Sequence, residues 1–98
     1  MSGTIYRLSR EMTISHADFL RTLPSALNNA AYNVHGNKIS VEGENRGLQI
    51  LLSPESARRL GTVSLPVTHV EFNFSGYSEL EVQQFFERFD MCYRRGGG

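Results

Sequence analysis

HVEFNFSGYSELEVQQFFERFDMCY, residues His69–Tyr93, carries two different hydrophobic periods back to back, and the switch between them decides the fold class. In its first part apolar residues alternate with polar ones. Val70, Phe72 and Phe74 fall on one side of an extended chain, and His69, Glu71 and Asn73 fall on the other. Past Gly76 the period lengthens. Ser78 and Glu81 have the spacing of a capping box, and Val82, Phe85, Phe86, Phe89, Cys92 and Tyr93 then recur along one stripe of a helix. Glu79, Glu81, Gln83, Gln84, Glu87, Arg88 and Asp90 fill its solvent side. Each phenylalanine contributes roughly 1.5–3 kcal/mol on burial, so this stripe is expected to anchor the core. A strand with one apolar face that leads into such a helix predicts an α+β domain.

Working outward, the strand begins near Leu65, with Pro66 suited to an edge or strand-entry position. Before it, Ser53-Pro54-Glu55 has the order of a helix start (N-cap, proline at the first turn, early acid), and Gly61 has that of a helix stop. A short two-turn helix is predicted there. Leu48, Ile50 and Leu52 alternate with Gln49 and Leu51. Tyr32 and Val34 are joined to Ile39 and Val41 by Gly36-Asn37, a two-residue hairpin signal, and residues 43–47 make a longer turn.

Ser15 with Asp18 caps a first helix bearing Phe19, Leu20, Leu23 and Leu27. Pro24 predicts a kink or break near Leu23, and Asn28 and Asn29 suit the exit. The first strand shows Tyr6, Leu8, Met12 and Ile14 on one face. Arg10 interrupts that face, which places it near an edge or beside a carboxylate. The expected architecture is an antiparallel sheet of about five strands in the order β-α-β-β-β-(short α)-β-α, with both main helices packed on one face. In its order of elements the chain resembles the curved-sheet folds of the TATA-binding-protein type, a likeness of architecture that implies no function.

Ninety-eight residues fit a single domain, 1–95, followed by a glycine tail at 96–98 that is expected to be flexible. A chain of this length buries roughly 65% of its unfolded surface, enough for one core without metals or disulfides. Ten basic residues balance ten acidic ones. That neutrality argues against a dedicated nucleic-acid binder, which needs excess cation to displace counterions from phosphates. The single cysteine, Cys92, excludes an intramolecular disulfide and suits a reducing compartment, so a cytoplasmic location is expected. No stretch has the length or apolarity of a signal peptide or a membrane span.

Named catalytic motifs are missing: no G-x-S-x-G, G-x-G-x-x-G, phosphate loop, H-E-x-x-H or C-x-x-C occurs. Three widely spaced histidines and one cysteine give no zinc pattern, and no metal or cofactor is expected. Cys92 on the apolar stripe reads as a buried thiol, and His16 in a first helical turn as a surface residue.

The most informative surface is the sheet face away from the helices, where Arg7, Ser9, Glu11, Asn33, Lys38, Ser40 and Glu42 are expected to project together with Gln49. His35, His69, Glu71 and Asn73 are its candidate ligand-binding set, because histidine beside carboxylate and amide can hold a ligand or move a proton. An uncovered antiparallel face must be polar in any case. Leu51 departs from that rule, and with Gln49 it marks a candidate interface for self-association, of which a dimer is the commonest form, or for another protein partner. Arg58 and Arg59, late in the predicted short helix, are a candidate anion site. The ending Arg94-Arg95-Gly96-Gly97-Gly98 superficially resembles ubiquitin-like and sulfur-carrier tails, although here it follows a helix rather than a strand. A non-enzymatic binding or assembly module is the leading expectation, and a small enzyme or ligand binder using the strand histidines is the alternative.

Overall fold

One strand organises the molecule. Val63–Ser75 runs thirteen residues through the computed structural model, which describes residues 5–95. In chain order the elements are β1 (Ile5–Met12), α1 (His16–Ala26), β2 (Asn33–His35), β3 (Lys38–Gly43), β4 (Arg46–Leu52), β5 (Ser56–Leu60), β6 (Val63–Ser75) and α2 (Glu79–Arg95). All pairings are antiparallel. The main sheet has the strand order β1-β6-β4-β3-β2, with β5 paired to β6 alone. The α+β reading therefore holds, with six strands rather than about five.

Phe72 and Phe74 point from β6 into the core and meet the α2 stripe edge-on. Phe72 lies 4.9 Å from Phe86 and 5.2 Å from Phe89 between ring centroids, and Phe74 lies 5.2 Å from Phe85. Phe19 and Leu23 of α1, Ile39 of β3 and Ile50 of β4 complete the buried cluster. Both helices thus cover one face of the sheet. The Ser78–Glu81 capping box forms in both directions: the Glu81 amide donates to Ser78 Oγ, and the Ser78 amide donates to the Glu81 carboxylate. At α1, Ser15 Oγ accepts from the Asp18 amide at 3.1 Å.

Arg10 satisfies both expectations made for it. β1 is an edge strand, and the guanidinium pairs with Asp90 of α2 while lying 4.3 Å from the Phe86 ring centroid. Asp90 is accordingly no free solvent-side residue.

Two local expectations are overturned. The first is the break at Pro24: α1 runs uninterrupted to Ala26, then ends through Asn28 (φ 55°) and Asn29 (φ 63°) in left-handed conformation. Pro24 withholds only the one N–H that would reach the Leu20 carbonyl, and with two helical residues left after it the segment stays helical to its end. The second is the short helix after Pro54. Ser56–Leu60 is a strand, turned at Gly61-Thr62 and paired with Val63–Val67. Gly61, with φ +64°, takes the first position of the two-residue turn that joins Leu60 to its partner Val63, and the pairing rather than the left-handed backbone separates this hairpin from a helix stop. Pro66 lies inside this ribbon opposite Ala57, beyond the point where β1 leaves β6 at Thr68.

The β5–β6 ribbon projects from the body. β5 is exposed throughout, and the molecule measures 52 × 23 × 22 Å. A thirteen-residue strand is itself about 43 Å long, which accounts for most of that length. Among the described residues no helix is long and apolar enough to cross a membrane. The glycine tail, Gly96–Gly98, lies outside the described residues.

Candidate functional site

Register arranges the open face in rows across the strands. Arg7, Asn73, Gln49, Ser40 and Asn33 form one row, and Ser9, Glu71, Leu51, Lys38 and His35 form the next. On one side of these lies the row Ile5–Ser75–Gly47–Glu42, and on the other the pair Glu11–His69. The face is as polar as expected, and its groups hold one another: Arg7 Nε donates to Asn73 Oδ1 at 3.2 Å and lies 3.7 Å from the Glu71 carboxylate. Glu11 pairs with Arg58 and stands 3.9 Å from His69 Nε2.

The sequence-predicted ligand set is only partly assembled. His69, Glu71 and Asn73 occupy successive positions of one face of β6, whereas His35 lies on β2 at the far end of its row, three strands from Glu71. At a strand spacing of about 4.8 Å that separation is roughly 14 Å. Among the described residues no three metal-ligating side chains cluster.

Arg58 and Arg59 lie on β5, so the helix-dipole argument for them lapses. Neighbouring strand residues project to opposite faces, and Arg58 is engaged by Glu11. His16 is likewise engaged. Its Nε2 hydrogen-bonds the Ser53 carbonyl at 2.6 Å, and its amide donates to Glu55 at 2.7 Å, which ties the start of α1 to the β4–β5 connection. Cys92 is half-buried on the α2 stripe.

Two hollows dent the open face. One, of about 370 Å³, opens over Gly47, where the missing side chain leaves a gap walled by Ile5, Arg7, Glu42, Gln49, Asn73 and Ser75. A Cβ placed on Gly47 would meet nothing closer than the Val41 carbonyl oxygen at 3.9 Å. The other, of about 330 Å³, lies beside Leu51 and is bordered by Ser9, Ser53, His69 and Glu71. Leu51 and Gln49 therefore sit between the two depressions, Leu51 half-buried and Gln49 exposed.

The apolar character continues onto the projecting ribbon. By alternation along β6, Val63, Leu65 and Val67 belong to the face of His69, Glu71 and Asn73, with Leu60, Arg58 and Ser56 opposite them on β5. Leu60 is 57% and Val63 53% exposed, a bare apolar tip. Sequence reasoning missed this surface because it placed residues 54–61 in a helix. The signal was Gly61-Thr62, a glycine-first two-residue turn between Leu60 and Val63.

A third hollow, of about 460 Å³, lies on the helix side between the end of α1, α2 and the β3–β4 turn. Its rim is held together internally. Arg46 pairs with Glu81 at 2.8 Å and stacks 4.6 Å from the Tyr77 ring centroid, and Arg88 Nε donates to the Ser25 carbonyl at 2.8 Å. Burial pushes the Tyr77 phenol up from its ordinary value, against the pull of Arg46.

Comparison of the chain with protein-family models, with curated proteins and with solved structures finds no match.

Proposed function

We propose that the chain is a non-enzymatic binding and assembly module that works through the open face of its sheet. The observation that carries this reading is Leu51. It sits in the middle of a polar face, between two hollows, where an uncovered antiparallel sheet ordinarily presents polar side chains only. The polar groups around it supply direction without a chemical centre: Arg7, Glu71 and Asn73 already hold one another, and His69 already has Glu11. One free thiol suits a reducing interior such as the cytoplasm.

Light scattering of the wild type and of Leu51→Glu tests it. Assembly gives a wild-type mass above 11.0 kDa that the charged variant returns to 11.0 kDa. A strict monomer on which Leu51→Glu has no effect contradicts it.

The second reading, a ligand site at His69, Glu71 and Asn73, draws support from the hollow beside Leu51. It predicts that small anions or divalent cations move the amide shifts of His69, Glu71 and Asn73 and that Glu71→Ala abolishes the effect; shifts that stay unmoved across such a series argue against it.

A further inference from the structure

We propose that the helix-side cleft between the end of α1, one flank of α2 and the β3–β4 turn binds a small organic acid, a monocarboxylate on an apolar body, with its carboxylate on Arg88. The cleft lies across the sheet from the open face and is a separate site.

It arises where three elements part. α1 ends at Ala26, the chain leaves it through left-handed Asn28 and Asn29, and β3 turns into β4 at residues 43–46. Between them a hollow of about 460 Å³ stays open, within the roughly 300–1,000 Å³ of small-ligand sites. Its floor is apolar. Leu27, Val41 and Leu48 are buried there, and Phe85 is half-buried beside them.

Both ends of the cleft are held in place. At one end Gly76 has no side chain, so Asn45 and Arg46 close against it; a Cβ there would lie 2.9 Å from Arg46 Cα. The Arg46 guanidinium then sits 4.6 Å from the Tyr77 ring centroid and 2.8 Å from the Glu81 carboxylate, and the Tyr77 ring rests edge-on against Phe74. At the other end Arg88 is fixed by its Nε, which donates to the Ser25 carbonyl at 2.8 Å. Between Glu81 and Arg88 the helix rises about 10 Å, which is the length of a bicyclic aromatic acid.

The hydrogen-bonding groups set the sign of the charge the cleft takes. The Glu81 carboxylate is fully engaged, one oxygen by the Ser78 amide and the other by Arg46. Glu42 borders the cleft, but by alternation with buried Val41 its side chain belongs to the open face. Arg88, in contrast, has no ion-pair partner among the described residues, and neither its terminal nitrogens nor the Tyr77 hydroxyl has a hydrogen-bond partner among them. The cleft therefore offers spare donors and an uncompensated cation around an apolar floor, and no spare anion.

With Nε turned to Ser25, the two terminal nitrogens of Arg88 present the paired donors that a carboxylate accepts side by side. A bare inorganic anion would leave the floor wet, and an uncharged apolar ligand would leave the guanidinium unmatched.

The test follows amide chemical shifts of the full chain in titrations with naphthoate, its uncharged amide and acetate. Naphthoate should move Asn28, Ala30, Gln84 and Arg88 while Gln49 and Asn73 of the open face stay unmoved. It should bind at least about tenfold tighter than either the amide or acetate. Arg88→Gln, a change at an exposed position, should make naphthoate and its amide bind equally, and Arg88→Lys, which keeps the charge, should retain the preference.

Any of four results would overturn the proposal. If the amide binds wild type as tightly as naphthoate, no carboxylate is recognised. If acetate binds as tightly, the apolar floor takes no part. A preference that survives Arg88→Gln removes Arg88 as the anchor. Cleft shifts that stay unmoved by naphthoate, whether or not the open face responds, remove the site.

Discussion

Tyr93 donates its hydroxyl to the Phe19 carbonyl at 2.7 Å, fastening the last turn of α2 to the first turns of α1 beneath the core. The two rings also stack, with centroids 5.1 Å apart. Tyr93→Phe keeps the stacking and removes the hydrogen bond. It should lower unfolding free energy by about 1 kcal/mol in urea titrations with an unchanged m-value.

The same residue sets an alkaline limit. Burial pushes the Tyr93 phenol well above its ordinary value of 10.0. Below that pH both the folded and the unfolded chain keep the proton, so stability is unaffected. Above it the unfolded chain ionises while the buried phenol does not, so stability falls as pH rises. Unfolding curves from pH 8 to 11 should decline less steeply for Tyr93→Phe than for the wild type.

At the other end of the scale, Glu81 is held below its ordinary value of 4.5, first by the Ser78 amide of the capping box and then by the Ser78 hydroxyl and Arg46. Its contribution is present above that value and is lost as pH falls through the depressed one. Glu81→Gln should flatten the acid limb of the stability curve between about pH 5 and 2, read by thermal melts in a pH series.

Two of the turn glycines, Gly76 and Gly61, should respond differently to alanine. A Cβ at Gly76 (φ +79°) would run into the Asn45 carbonyl oxygen and lie 2.9 Å from Arg46 Cα, so strain and clash act together. Gly76→Ala should cost more than about 2 kcal/mol. Gly61 (φ +64°) has nothing within 4 Å, and its alanine variant should lose only the roughly 1 kcal/mol of left-handed backbone. Chemical denaturation of both variants measures the difference.

Arg10 and Asp90 are each more than a third exposed, so their ion pair is screened. A double-mutant cycle with Arg10→Ala and Asp90→Ala should give a coupling of about 0.5–1 kcal/mol. The single Arg10→Ala change should cost more than that, because it also uncovers the Phe86 ring.

What could be read from the sequence were the elements whose hydrophobic period is long and unbroken. Phe72 and Phe74 against Glu71 and Asn73, and the stripe from Val82 to Tyr93, were legible because one period fixes both the element and its buried face. Residues 54–60 were misread because Ser53-Pro54-Glu55 has the chemistry of a helix start and Ala57, Arg58, Arg59 and Leu60 all favour a helix locally. Pairing with Val63–Val67 overrides that preference, and pairing is a property of two segments that neither declares alone. The same limit applied to the open face. Its membership followed from alternation, but the distance between His35 and His69 depends on the strand order β6-β4-β3-β2, which alternation does not encode.

The central claim is that the open face is an occupied surface. Amide chemical shifts followed through a dilution series test it most directly, because they report which side of the molecule changes. The account expects concentration-dependent shifts at Ser40, Gln49, Leu51, Glu71 and Asn73, with α1 and the solvent side of α2 unmoved. A spectrum that does not change on dilution, or changes confined to the helices, would contradict it.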